Sequence, residues 1–121
     1  MNVTTNLEGT KLTVAVDGKL GTTSAPELEK AVRNNINGVT ELVFDFGKLE
    51  YMASAGLRVL LSSAKVMRNQ GTMKIINVTE PVMEVFTFTG MADVMDIKAS
   101  GEIDDKDAEN VAGGKLYYPA L

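Results

Sequence analysis

Apolar and polar residues alternate along the first part of the chain in the pattern of β-strands. Leu12, Val14 and Val16 are separated by polar or small residues, which is the two-residue period of a half-buried strand. A shorter strand is predicted from Val3 to Leu7. Because Gly9 lies between the two segments, the pattern favours an antiparallel hairpin at the start of the chain.

A loop over residues 18–23 and then a helix are predicted next. Ser24 stands three residues before Glu27 with Pro26 between them, a combination typical of a capping box with proline in the first helical turn. Apolar residues follow at helical spacing: Leu28, Ala31 and Val32. The segment Asn-Asn-Ile-Asn-Gly at 34–38 then ends the helix.

The chain from residue 42 to residue 97 alternates between strands and helices. Leu42–Phe46 is almost continuously apolar, as in a central strand covered on both faces. A helix from Ser54 to about Asn69 is predicted by apolar residues at helical spacing, namely Leu57, Leu60, Leu61, Ala64 and Met67. Three further elements follow: a strand over Met73–Val78, a helix capped by Thr79 and ended by Gly90, and an edge strand over Val94–Ile97.

This order of elements predicts an α/β fold, a mixed β-sheet with parallel crossovers and helices mainly on one face. We expect residues 1–100 to form one domain. Residues 101–121 differ in character, because an acidic stretch without periodicity precedes Gly113-Gly114 and a Leu-Tyr-Tyr-Pro segment at 116–119. We therefore expect an acidic linker and C-terminal tail. Whether the Leu-Tyr-Tyr-Pro segment docks on a partner or on its own domain is left open.

Composition narrows the chemistry. The 121 residues include no Cys and no His, which excludes disulfides, thiolate nucleophiles, Cys/His zinc sites and histidine-based triads. We expect no cofactor and no enzymatic activity, since no other catalytic groups converge by motif. With a net charge of -4 and no basic stripe, we expect no nucleic-acid partner. The chain shows neither a membrane-length apolar run nor a signal peptide, so a cytoplasmic location is expected.

The segment around Ser54 is the strongest candidate for function. It follows the predicted central strand and opens a helix, so its hydroxyl is placed beside the unpaired N–H groups of a helix start. Small neighbours, Ala53, Ala55 and Gly56, leave the hydroxyl uncrowded, and Arg58 lies one turn later on the same face. Such a position suits an added phosphate. A simple helix N-cap is the alternative interpretation of the serine.

The segment Tyr51–Leu61, with the sequence Tyr-Met-Ala-Ser-Ala-Gly-Leu-Arg-Val-Leu-Leu, resembles the STAS domain, the family of bacterial anti-sigma factor antagonists. The resemblance extends over residues 3–98. It includes Gly18-Lys19-Leu20 with Ser24-Ala25, the strand before the serine, the segment Gly71–Ile75 and the helix end Val85–Met91. It implies the STAS fold.

The resemblance also implies a function. In this family a serine at this helix start is phosphorylated by an anti-sigma factor that is itself a serine kinase of the histidine-kinase-like ATPase fold. The unmodified antagonist binds that kinase and frees the sigma factor, phosphate abolishes the binding, and a PP2C-type phosphatase restores it. Ser54 matches the phosphoacceptor.

The same resemblance implies a partner-binding surface. The positions that match it are Gly21, Thr22, Ala53, Ser54, Ala55, Gly56 and Arg58. Many members have Asp or Ser where this chain has Ala53, and many have Asp where it has Gly21. A second hydroxyl found beside the acceptor in some members is Ala55 here. Ser54 is therefore the only candidate acceptor in the motif.

Two other functions stay open on the sequence. A STAS-like domain can serve a phospholipid or transport complex, with the serine region acting only as a docking surface. A small-ligand or nucleotide-binding module is the second alternative.

Overall fold

The computed structural model describes residues 1–101, which form a five-stranded sheet and three α-helices. The expected acidic linker and tail lie outside the described residues, apart from Gly101. No helix in the described part of the chain is long and apolar enough to cross a bilayer. In chain order the elements are β1 (Asn2–Glu8), β2 (Lys11–Leu20), α1 (Ala25–Arg33), β3 (Glu41–Met52), α2 (Ser54–Arg68), β4 (Thr72–Val78), α3 (Glu80–Thr89), a 3-10 turn (Met91–Asp93) and β5 (Asp96–Ala99).

The sheet is mixed, as predicted. Its strands lie in chain order from β1 to β5. β1 and β2 form the predicted antiparallel hairpin, with Val3 opposite Val16. β2, β3, β4 and β5 then run parallel to one another, so each of the helices α1, α2 and α3 is a crossover between two neighbouring parallel strands. β3 is the central strand.

All three α-helices pack on one face of the sheet, which confirms the predicted architecture. Alternate residues of the strands, Phe44 and Phe46 among them, join buried residues of every helix in one core. The ring of Phe46 lies 5.9 Å from that of Phe44 and stacks on that of Phe86 in α3 at 6.5 Å. Because all three rings are fully buried, they connect the centre of the sheet to α3.

The central strand is longer than its apolar pattern predicted. It continues through Gly47 and Lys48 to Met52. A β-bulge with one extra residue in β3 lets the strand remain paired with β2 across this polar segment. Ala15 of β2 pairs with Asp45, but Asp17 pairs with Lys48. The Asp45 carboxylate accepts hydrogen bonds from the Gly47 N–H at 3.0 Å and from the Asn77 amide at 3.2 Å. A polar break in the pattern therefore marks a bulge here, not the end of the strand.

The predicted loop over residues 18–23 is wrong in its first half. Gly18, Lys19 and Leu20 belong to β2, and a second register shift lies between Gly18 and Lys19. Gly18 has φ +104°, a conformation that glycine adopts without strain. This bulge allows β2 to stay paired with the extended β3.

The predicted helix caps have other hydrogen bonds. Ser24 precedes α1 but has helical torsion angles, and its side chain caps no N–H of the helix. Its hydroxyl oxygen accepts from the Gly21 N–H at 2.8 Å instead. The Thr79 hydroxyl precedes α3 and donates to the Leu49 carbonyl at 2.9 Å. The capping box predicted for Ser24 and the side-chain cap predicted for Thr79 are therefore both wrong, although α1 and α3 begin where the sequence placed them.

Two apolar residues lie elsewhere than predicted. Val94 is 67% exposed and precedes β5, which runs over Asp96–Ala99. Leu61, expected on the buried stripe of α2, is 40% exposed. The buried stripe runs instead through Leu57, Val59, Leu60, Ser63 and Met67.

Two phenylalanines of α3 give a matched test of this core. Phe86 is fully buried and Phe88 is 92% exposed. Phe86→Ala removes a stacked ring and leaves a cavity, so we expect a loss of about 3–5 kcal/mol in the free energy of unfolding. Phe88→Ala removes no core contact, and we expect a change within about 0.5 kcal/mol. Urea unfolding of both variants measures the difference. Similar values for the two would contradict the described packing of α3.

Candidate functional site

The start of α2 is positioned by the last residues of the two central parallel strands. Leu20 at the end of β2 pairs with Met52 at the end of β3. One residue further on, the Ala53 N–H donates to the Leu20 carbonyl at 2.9 Å. The chain therefore leaves the sheet at Ala53 and turns directly into the helix. The site lies at the carboxyl edge of the sheet.

Ser54 is the first residue of α2, and its side chain is exposed. The residue before it, Ala53, is the N-cap and has no side-chain oxygen. The interpretation of Ser54 as an N-cap is therefore wrong. The Ala53 carbonyl accepts from the N–H groups of Gly56 at 2.9 Å and Leu57 at 3.4 Å. Within residues 1–101, no acceptor is hydrogen-bonded to the N–H of Ser54 or Ala55.

Close packing beneath the first turn fixes this position. Gly56 is buried, and a Cβ added to it would lie 2.7 Å from a methyl carbon of Leu20 and 2.9 Å from Cγ of Met52. Both side chains are fully or almost fully buried. Glycine is therefore required for α2 to lie this close to the two strands. Ser54 is on the opposite, solvent-facing side of the same turn.

The charges of α2 differ from those of the other helices. α2 carries three cationic residues, Arg58, Lys65 and Arg68, and no acidic one, although the whole chain has a net charge of -4. The first turns of α1 and α3 contain Glu27 and Glu80, respectively. Their N-terminal partial positive charge is thus partly balanced by a carboxylate. Of the three described α-helices, only α2 begins without an acidic residue.

The loop after β2 lies beside this helix start. Gly21 follows Leu20, whose carbonyl is bonded to Ala53. The Gly21 N–H donates to the Ser24 hydroxyl, which in turn donates to the Lys19 carbonyl at 3.2 Å. These bonds hold the loop, while Thr22 is exposed. Gly21, one residue after Leu20, therefore lies at the same edge of the sheet as Ala53, and the partner-binding role of Gly21 and Thr22 stays a prediction.

An exposed apolar residue that the sequence analysis placed on the buried stripe extends this surface. Leu61 is 40% exposed and lies seven residues after Ser54, so it shares the helix face of Arg58 and Lys65. Counting positions 4, 7 and 11 from the serine would have found Leu61. We call Ser54, Arg58, Leu61 and Lys65 the α2 surface.

The start of α2 has the features of an anion-binding helix end. In the described part of the chain, no cluster of three or more acidic side chains is placed to hold a metal ion. What the α2 surface offers is an exposed hydroxyl, two unpaired N–H groups and cationic side chains. These are the elements that receive an anion at a helix start.

Comparison with known proteins supports the resemblance found in the sequence. The STAS domain family model matches residues 2–105. BtrV of Bordetella bronchiseptica is 32% identical over 93 residues, which is 75% of this chain and 80% of that protein. The anti-sigma-B factor antagonist of Bacillus subtilis is 28% identical over 103 residues, covering 84% of this chain and 94% of the relative.

Solved structures show the same fold. The anti-sigma factor antagonist SpoIIAA in its unphosphorylated form superposes with a TM-score of 0.72 at 18% identity, over 91% of this chain and 96% of that one. The phosphorylated form of SpoIIAA, from Bacillus, gives a TM-score of 0.65 at 16% identity, over 92% of this chain and 100% of that one. From the family match and the similarity to BtrV together, the chain belongs to the STAS domain family.

Proposed function

We propose that this protein is an anti-sigma factor antagonist that regulates transcription by binding an anti-sigma factor, and that phosphorylation of Ser54 switches the binding off. The observation that carries the proposal is the exposed Ser54 hydroxyl on the uncapped first turn of α2. The relative in Bacillus subtilis is named an anti-sigma-B factor antagonist, and SpoIIAA is known in a phosphorylated form. The partner we propose is a serine kinase of the histidine-kinase-like ATPase fold.

The partner contacts the α2 surface together with the loop at Gly21 and Thr22. Leu61 supplies exposed apolar area, and Arg58 and Lys65 supply positive charge. A kinase surface with apolar side chains surrounded by carboxylates would complement both features. The small residues Ala53 and Ala55 allow the partner's backbone to approach the serine closely. The protein acts as a binding module in the cytoplasm, not as an enzyme.

Phosphorylation then changes the electrostatics of this surface. A phosphoserine adds about -1.5 to -2 charges at pH 7. In the free protein that charge is stabilised by the N-terminal end of α2 and by Arg58 one turn away. In the complex the phosphate would be desolvated and would face the carboxylates that pair with Arg58 and Lys65. The modification therefore stabilises the free state and destabilises the bound state.

The switch needs no rearrangement of the fold. Ser54 is already exposed, and the buried Gly56 holds the first turn of α2 against Leu20 and Met52. A phosphate added to the outward-facing hydroxyl meets no core atom. Removal of the phosphate by a PP2C-type phosphatase regenerates the same binding surface.

The first prediction concerns the site of modification. Incubation of the full chain with the cognate anti-sigma factor kinase and ATP should add one phosphate, detected by intact mass, because Ser54 is the acceptor at the helix start. Ser54→Ala should abolish the addition. Ser62→Ala is the matched control, since Ser62 is exposed two turns later in the same helix, and should leave the phosphorylation unchanged.

Phosphate on another residue would refute the assignment of Ser54. Tight binding of the kinase without any phosphate transfer would show a docking module without a phosphoswitch. That result would retain the α2 surface and reject the regulation.

The second prediction concerns affinity. Ser54→Asp places a permanent negative charge at the helix start and should weaken kinase binding by about tenfold or more, since like charges in contact cost more than the 1.4 kcal/mol of a tenfold change. Ser54→Ala removes only the hydroxyl and should keep the affinity of the unmodified protein. Isothermal titration calorimetry measures both. Equal affinities for the two variants would argue against an electrostatic switch.

The third prediction concerns Arg58. Arg58→Gln should slow association with the kinase and reduce its dependence on salt, because a cation at the interface mainly steers encounter. Arg33→Gln is the control, as Arg33 is exposed on α1 and pairs with Glu29 at 3.0 Å. Stopped-flow association rates at several salt concentrations measure the effect. An unchanged salt dependence for Arg58→Gln would place the partner on another surface.

A further inference from the structure

β1 is an edge strand, and its outer side has no neighbouring strand in the described part of the chain. A two-residue loop joins it to β2, since Glu8 pairs with Lys11. Gly9 has φ +63°, as in the first central position of a type II′ turn, in which the Glu8 carbonyl accepts from the Lys11 N–H. Because hydrogen-bonded pairs alternate along an antiparallel ladder, the backbone groups that point away from β2 are those of Val3, Thr5 and Leu7. Within residues 1–101, these outward groups have no hydrogen-bond partner.

β1 lacks the features that prevent most edge strands from pairing with another chain. Protected edges are short, charged, bulged or interrupted by proline. β1 pairs with β2 over seven residues without a register shift, and its one charged residue is Glu8 at the end. The other edge strand, β5, has four residues, two of them charged, and its sheet pairing contains a register shift. Of these two edges, β1 is therefore the one built to accept a further strand.

The sequence of β1 is complementary to itself in the antiparallel direction. With Thr5 at the centre, Thr5 lies opposite Thr5 of a second copy, Val3 lies opposite Leu7, and Thr4 lies opposite Asn6. Apolar residues thus face apolar residues, and polar residues face polar ones. We propose that two copies of this chain pair through β1 in this register and join their sheets into one continuous sheet.

The register uses all the outward backbone groups. Val3, Thr5 and Leu7 of each copy then form about six hydrogen bonds with the other copy. A shift by two residues would place either Leu7 or Val3 opposite a residue outside β1. The register centred on Thr5 is therefore the one with the most bonds within the two strands.

The side chains of these residues also favour the pairing. Val3, Thr5 and Leu7 pair with buried residues of β2, so they lie on the side of the sheet that the helices cover. Leu7 is 53% exposed in the single chain. In the pair it contacts Val3 of the other copy, which extends the apolar core across the junction.

The pairing is independent of the proposed phosphoswitch. β2 separates β1 from β3, and α2 connects β3 to β4 on the far side. The α2 surface therefore stays accessible in the pair. Because a twofold axis at Thr5 is perpendicular to the sheet, both copies present this surface on the same side.

Sedimentation velocity of the full chain over a range of concentrations measures the pairing. Thr5→Pro removes an N–H that points away from β2, so the fold should be kept. It removes two hydrogen bonds between the copies and should raise the dissociation constant of the dimer about tenfold or more. Leu7→Lys places a charge on the edge and should also weaken the dimer. Leu61→Lys, at an exposed leucine of α2, is the matched control and should leave it unchanged.

Disulfide formation tests the register, because the chain has no cysteine of its own. At the twofold axis the two Thr5 Cα atoms should be about 5.5 Å apart, which a disulfide can bridge. The two Thr4 Cα atoms should be about 8 Å apart, which is too far. Thr4 and Thr5 are both exposed. In a buffer of oxidised and reduced glutathione, Thr5→Cys should give a covalent dimer and Thr4→Cys should stay monomeric on a non-reducing gel.

Three results would overturn the proposal. One is a chain that stays monomeric at every concentration. Another is a dimer that Leu61→Lys dissociates, or that Thr5→Pro and Leu7→Lys both leave intact, since the contact would then lie on another surface. The third is equal cross-linking of Thr4→Cys and Thr5→Cys, which would contradict the register centred on Thr5.

Discussion

The pairing of β2 with β3 along their full length is the constraint on which the site depends. Both strands extend past their polar residues, and two register shifts keep them aligned up to Leu20 and Met52. The hydrogen bond from the Ala53 N–H to the Leu20 carbonyl then fixes the residue at which the chain leaves the sheet. If the two strands separated at Gly47, the chain would leave the sheet at an earlier residue, and Ser54 would not lie in the first turn of α2.

The same edge of the sheet also determines the electrostatics. α1, α2 and α3 each follow a parallel strand, so their N-terminal ends lie at one edge, where partial positive charges accumulate. Glu27 and Glu80 balance two of these ends. At the third, the N-cap is alanine and the first polar side chain is that of Ser54. A negative charge on that hydroxyl would balance the N-terminal end of α2, as the glutamates balance the ends of α1 and α3.

Much of this was predictable from the sequence, because the strands and helices have clear periodicities. The mixed sheet, the three helices and the place of the serine at a helix start all follow from spacing. The two bulges do not follow from spacing. Asp45, Gly47 and Gly18 are residue types typical of turns, and they lie in strands here only because β2 and β3 pair over their full length. The hydroxyls of Ser24 and Thr79 were also misassigned, because a side chain that can cap a helix can equally bond a neighbouring strand.

On the exposed side of α2, the spacing of apolar residues does not predict which of them are buried. The spacing of Leu61 fits both the buried stripe and the face of Ser54. When the apolar stripe of a helix is wide, its outermost residues lie at the boundary with solvent, and spacing alone does not decide whether they are buried. Only the packed structure assigns Leu61 to solvent and Val59 to the core. An apolar residue at that border, close to cations and to the exposed Ser54 hydroxyl, allows a binding surface to combine affinity with sensitivity to charge. Such an apolar contact contributes equally to binding of the modified and the unmodified protein, so in the proposed switch the charge of the phosphate has to outweigh it.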